Sequence, residues 1–423
     1  MTMLTRRRFG RLAAGATLVS STGAFVLPAR AQGGNPIRIG YAMSLSGGLA
    51  ANGRSSLLAH KIWQEDVNAK GGILGRPVEL VFYDDQTNPG TVPALYTKLI
   101  DVDKVDIVTS PYATVMIAPS MPVIMQRRMC YVSLFGAGVN EAFKYDRYFS
   151  MNVAGDDIKG TYGKGFLEVA FSLPTPPRTL SILAVDNEFA QKAAESVRHL
   201  GRQRGLRIVY DRSYPPTTVD FTPTIRAIQA QRPDIVFFAS YPPDSNGILR
   251  AVSELRMQAP ILGGGMIGPQ IAAVQQQMGP ILNNLVNWDV YSPEPTMNFP
   301  GVAAFQEKYR ARAAAEQVDP LGNYLQPYAY AQMQVVEQAL ARVGRIDQAA
   351  LAADMHASEF KTVVGDIRFS ALGEWAEERN LFVQFQGIKD GDLEKYKKPG
   401  SKVILYPGNL KSGTLRAPYG APA

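Results

Sequence analysis

Few residues in this chain could do covalent or acid–base chemistry. An acidic pair, Asp84-Asp85, ends an apolar run; a lone cysteine sits at 130; histidines stand at 60, 199 and 356; and GGGMIG occupies 263–268. Neighbouring residues at a strand end point to opposite faces, so Asp84 and Asp85 do not form a facing dyad, and turn-making or capping is their expected role. Cys130 lies in the apolar run MCYVSLF, which predicts a small buried hydrophobe, and a single cysteine allows no disulfide within the chain. The three histidines lack metal-ligand spacing, so they are expected to be solvated or structural. GGGMIG satisfies G-x-G-x-x-G, and Asp289 follows about 20 residues on. A dinucleotide reading also needs a helix N-terminus facing the pyrophosphate, and short Gly-rich matches are common, so no cofactor is expected. G-x-x-x-x-G-K-[ST], G-x-S-x-G and H-E-x-x-H do not occur, which leaves ATPase, hydrolase and zinc-protease readings without support. An exported enzyme would have no nucleophile–base pair to work with. Binding is the chemistry that remains.

The elements that would position a binding site are regular. In residues 37–89 an apolar run ends in small residues, Ser44 to Gly48. A helix-period segment then runs through Ala59, Ile62 and Val67 to Gly71-Gly72, and a second apolar run, Val78 to Tyr83, ends at the acidic pair. That is a strand–helix–strand unit whose first turn lets backbone N–H groups approach an anion closely. Helices are then predicted near 91–101, 114–128, 158–172, 189–204, 221–231 and 246–257. Between them fall strands at 105–110, 129–135, 147–152, 179–185, 206–213, 234–240 and 260–264. DIVFFAS and TLSILAV are continuous apolar runs, as strands covered on both faces are. Repeated β-α-β order implies α/β architecture with parallel sheets, and there are strands enough for two. A strand at 283–291 and helices near 300–315 and 324–343 follow, and the proline-bearing tail from 396 reads as loop-like and partly disordered.

With 423 residues the chain is comfortable for two domains, and 46% apolar with 19% charged is an ordinary globular composition. Its net charge of +7 falls to +2 without five arginines (6, 7, 8, 11 and 30) in an acid-free first 31 residues, so no nucleic-acid footprint is expected. Those residues read as an export leader: TRRRFGR, an apolar small-residue run, then Ala29-Arg30-Ala31 for cleavage. Paired arginines before Phe9 resemble a twin-arginine signal, with an ordinary secretory signal as the alternative. No later apolar run is long enough to span a membrane.

SGGLAANG, NAKGGILGRPVEL and YDDQTNP, in order and closely spaced, resemble the periplasmic leucine/isoleucine/valine-binding protein family, the solute-binding subunits of ABC importers. The resemblance implies a type I fold: two Rossmann-like lobes with parallel sheets joined by a three-stranded hinge. It places lobe 1 at 36–153 plus 288–373, lobe 2 at 154–287 plus 374–395, and a tail at 396–423. It also implies a periplasmic monomer, a small carboxylate or amino-acid ligand, and an ABC permease in the inner membrane as partner.

The site candidates sit where open α/β sheets bind ligands, after strand C-termini. In SPYATVMIAP, Thr114 can cap a helix or offer its hydroxyl and adjacent N–H groups to a carboxylate, and the resemblance implies the second role. VSLFGAGVNEAF aligns with the family's second ligand-contacting turn, at Gly136 and Gly138. VDNEFAQ puts Phe189 on a wall aromatic, ASYPPD does so for Tyr241, and GNYLQPYAYA for Tyr324. With Tyr112 and Phe135 these suggest an aromatic cleft, although any one could be core. Arg54 adds cationic character at the first helix or is an exposed cap-region residue. One position departs from the family. Where its amino-acid binders carry an acid for the ligand's ammonium, this chain has Gly265, and no Asp or Glu lies between Glu254 and Asp289. An unpaired ammonium in a closing cleft is costly, so an aromatic or branched carboxylate without it is favoured. A hydrophobic amino acid remains the alternative, and a ligand-sensing domain for a signalling partner is the rival of another class.

Overall fold

The structure is a computed structural model that describes residues 34–421, so the export-leader reading falls outside the described residues. Five strands, β1 (Ile37–Met43), β2 (Val78–Asp84), β3 (Ile107–Tyr112), β4 (Tyr131–Leu134) and β5 (Tyr148–Ser150), form an all-parallel sheet in the order β2-β1-β3-β4-β5. A second sheet begins with β6 (Thr179–Val185), β7 (Arg207–Tyr214), β8 (Ile235–Ser240), β9 (Ile261–Met266) and β10 (Val286–Asp289), all parallel. After a small hairpin of β11 (Glu359–Thr362) and β12 (Gly365–Arg368), the strands β13 (Leu381–Phe385) and β14 (Lys402–Tyr406) add to it antiparallel, in the order β14-β13-β10-β9-β8-β6-β7.

Burial explains the strand sequences. Every residue of β3, β8 and β9 is buried, which is why β8 and β9 read as almost continuous apolar or glycine runs, while β3 carries the buried hydroxyls of Thr109 and Ser110. The helix Ala50–Ala69 packs on the first sheet and against the late helix Leu325–Val343, where the Trp63 indole donates to Glu337 Oε2 at 2.8 Å. The chain therefore passes between the two sheets' surroundings three times: after β5, after β10, and between β12 and β13.

Two expectations are corrected here. β10 lies wholly in the second sheet, so a break between 287 and 288 falls inside it. The region after 396 is not a loose tail: its apolar run KVILY is β14, and Tyr419 forms a further antiparallel bridge with Ala259. The prolines there suggested loop, but they flank the strand rather than interrupt it.

The glycines of GGGMIG have a packing role. A Cβ on Gly263 would meet the Val286 carbonyl oxygen at 1.7 Å, and one on Gly264 the Phe238 carbonyl oxygen at 2.5 Å. With φ of 149° and 126°, they let β9 lie close between its neighbours. Asp84 accounts for the first turn: it accepts from the Leu45 and Ser46 amides at 2.9 and 3.2 Å, so the anion held there is the chain's own side chain. Asp85 accepts from the Ser44 hydroxyl at 2.6 Å, which makes the pair structural. Among the described residues no helix is long and apolar enough to cross a membrane.

Candidate functional site

A narrow cavity of about 20 Å³ lies where the C-terminal ends of the two sheets meet. Tyr112 ends β3, with Ala113 and Thr114 just beyond; Phe135 follows β4 and Asn152 follows β5. From the second sheet come Phe189 after β6, Tyr241 after β8, Ile267 after β9 and Trp288 in β10. Tyr324 closes the set from the start of the helix Leu325–Val343. Convergence of strand ends from two parallel sheets is the geometry expected of a small-ligand site.

The walls are aromatic and interlocked. Phe135 packs against Tyr324 at 5.9 Å and edge-on to Trp288 at 6.5 Å, while Phe189 lies 5.8 Å from Tyr241 and 6.2 Å from Trp288. The Tyr112 and Tyr324 hydroxyls share a hydrogen bond of 3.1 Å. Burial pushes Tyr112 up to about 12 and Tyr324 well above the ordinary phenol range, so both are neutral hydrogen-bonding groups.

Thr114 is buried, and its Oγ1 accepts from the Ala137 amide at 3.0 Å. Its hydroxyl proton has no acceptor among the described residues' hydrogen bonds, which leaves it for a ligand oxygen. The turn presenting it is strained: Ala113 has φ 79° and ψ 143°, and Phe135 has φ 62°. Positive φ in non-glycine residues costs of order 1–3 kcal/mol each and clusters at functional sites. None of the ten lining residues carries a charge. Of the nearby acids, Asp186 and Glu188 are exposed, while Asp244 accepts from the Tyr214 hydroxyl and the Tyr241 amide. Asp289 is paired with Lys402.

Six of the expected site residues line the cavity together: Tyr112, Thr114, Phe135, Phe189, Tyr241 and Tyr324. Four do not. A Cβ on Gly265 would point towards Ala193, Phe237 and Ala239 in the core, and the residue facing the cavity from this strand end is Ile267. Gly136 is packed under the Tyr148 hydroxyl, with only 2.4 Å available to a Cβ. The Gly138 carbonyl is held by Lys192 Nζ at 3.0 Å. Arg54 is exposed and donates from Nε to the Leu45 carbonyl at 2.8 Å, the cap-region role. Sequence reasoning missed Ala113, Asn152, Ile267 and Trp288. Trp288 carried a signal, as the one aromatic side chain inside a strand, β10, that joins the parallel series.

Residues 36–391 match the family described as periplasmic binding protein. The chain belongs to that family. Its relatives are of the branched-chain amino-acid transporter type. The leucine-specific-binding protein of Salmonella typhimurium is 24% identical over 340 residues, covering 80% of this chain and 88% of the relative. Among solved structures, a branched-chain amino acid transporter substrate-binding protein from Streptococcus pneumoniae, in complex with isoleucine, superposes with a TM-score of 0.71 at 19% identity, covering 84% of this chain and 98% of that one. A solute-binding protein of an ABC transporter from R. palustris, in complex with benzoate, gives 0.70 at 17% identity, covering 88% and 95%. The type I periplasmic-binding-protein architecture expected from the sequence is thus the fold of the molecule.

Proposed function

We propose that this protein is an exported solute-binding subunit that closes on a small carboxylate lacking an α-ammonium, aromatic or branched, and delivers it to an ABC permease. The observation that carries the reading is the chemistry of the cavity. Its lining is aromatic and free of formal charge, with a buried threonine hydroxyl ready to donate. An amino acid would bring an ammonium that none of these residues can pair, and burying a lone charge is costly. A benzoate ligand in one structural neighbour supports the same class. The isoleucine held by another keeps a hydrophobic amino acid as the second reading.

Function here is hinge closure with higher affinity for the closed state, without chemical conversion. Each lobe is built on one sheet, and the three connecting segments form the hinge. Lys192, on the helix Glu188–Gln203 of the second lobe, reaches the Gly138 carbonyl and Glu141 Oε2 of the first, a contact suited to latching the closed form. The leader, the twin-arginine route, the periplasmic location and the monomeric state belong to this proposal. A thermal-shift screen of protein stripped of ligand by denaturation tests it. Aromatic and branched carboxylates are expected to raise the midpoint, and shifts confined to amino acids would replace this reading with the second.

A further inference from the structure

The Tyr162 hydroxyl takes part in none of the fold's hydrogen bonds, and Tyr162 is not among the ten residues that line the cavity. Tyr162 is 1% exposed, and its hydroxyl has no hydrogen-bond partner. Its ring cannot swing out to water, because it stacks on Trp288 at 5.1 Å with an interplanar angle of 28° and meets Phe189 edge-on at 5.6 Å. Both of those rings line the cavity. Burial, with smaller contributions from the Tyr241 and Tyr112 phenols, holds the Tyr162 phenol well above its ordinary range, so it is a neutral donor. Tyr112 and Tyr324 spend one hydroxyl proton on each other, and the second remains to be given. This part of the site therefore holds more donors than protein acceptors, and a buried polar group without a partner calls for a ligand or water.

We propose that Tyr162 is a specificity-determining residue that hydrogen-bonds an oxygen substituent of the ligand, so that the preferred ligand is a hydroxylated aromatic carboxylate. This rests on the carboxylate reading above. With the carboxylate at Thr114, the phenol cluster is left for a second oxygen. That oxygen is neutral, because no lining residue could balance a second charge. A ring hydroxyl fits: its oxygen can accept from Tyr162 and from the spare proton of the Tyr112–Tyr324 pair.

Titration calorimetry of benzoate, 3-hydroxybenzoate and 4-hydroxybenzoate against wild type and Tyr162→Phe tests this. Phenylalanine keeps the ring packing, and a matching urea midpoint checks the fold. Wild type is expected to bind one of the hydroxybenzoates about tenfold more tightly than benzoate, and Tyr162→Phe to abolish that preference while changing benzoate affinity by less than about twofold. A preference that survives in Tyr162→Phe, a wild type without one, or an equal loss for all three compounds overturns the inference and leaves the carboxylate reading in place. If none of the three binds and leucine or phenylalanine does, the carboxylate reading falls and takes the inference with it.

Discussion

Thr114 carries the site's most specific claim at the scale of single residues. Its hydroxyl accepts from the Ala137 amide, and its own proton has no acceptor among the described residues' hydrogen bonds; in the proposed function it goes to the ligand's carboxylate. A hydrogen bond to a charged group is worth roughly 1.5–3 kcal/mol, so Thr114→Val is expected to weaken binding about tenfold to a hundredfold, with Thr114→Ser near wild type. Calorimetric affinities that match wild type for Thr114→Val would make the residue a helix cap only. Glu374 makes a second claim, this time about stability. It is buried, neither carboxyl oxygen has a partner, and burial pushes it up to about 8 from 4.5. The folded state thus holds the proton more tightly than the unfolded chain, and the stability this supplies is full below pH 4.5 and lost as pH rises through about 8. Glu374→Gln is expected to flatten the fall in thermal midpoint between pH 5 and 8. An unchanged slope would locate the pH sensitivity elsewhere.

Among the elements, β10 and β14 are tied by a buried ion pair, Lys402 Nζ to Asp289 Oδ2 at 2.7 Å, with side-chain exposures of 2% and 0%. Asp289 also accepts from the Val290 amide at 2.8 Å, so the pair anchors the chain where it leaves the second sheet. Removing one partner strands a buried charge, and Lys402→Met is expected to cost about 3–5 kcal/mol in urea unfolding. A loss under about 1 kcal/mol would mean that the site relaxes or hydrates. The strands themselves were legible because their signal is local. TLSILAV gives β6 at the expected 179–185, since a strand covered on both faces is apolar throughout. β14 was hidden by the prolines around KVILY, and its partner β13 is equally short. The rule that ligands sit after strand C-termini pointed to the turns that carry Tyr112, Thr114 and Phe135. The family resemblance singled out Phe189, Tyr241 and Tyr324, and all six line the cavity. Gly265 failed because its direction depends on how β9 packs between β8 and β10. Trp288 joins the cavity only through the meeting of two sheets, which neither periodicity nor composition encodes.

For the whole molecule, two α/β lobes enclose a small neutral cavity, and the account turns on what charge its ligand carries. None of the residues lining the cavity carries an acid that could pair with an ammonium. The decisive measurement is competition on ligand-stripped protein between leucine or phenylalanine and their des-amino analogues, 4-methylpentanoate and 3-phenylpropanoate. The des-amino acid is expected to bind at least as tightly as its amino-acid counterpart. A preference for the amino acid of more than about a hundredfold, the size expected when a buried carboxylate pairs the ammonium, would contradict that expectation.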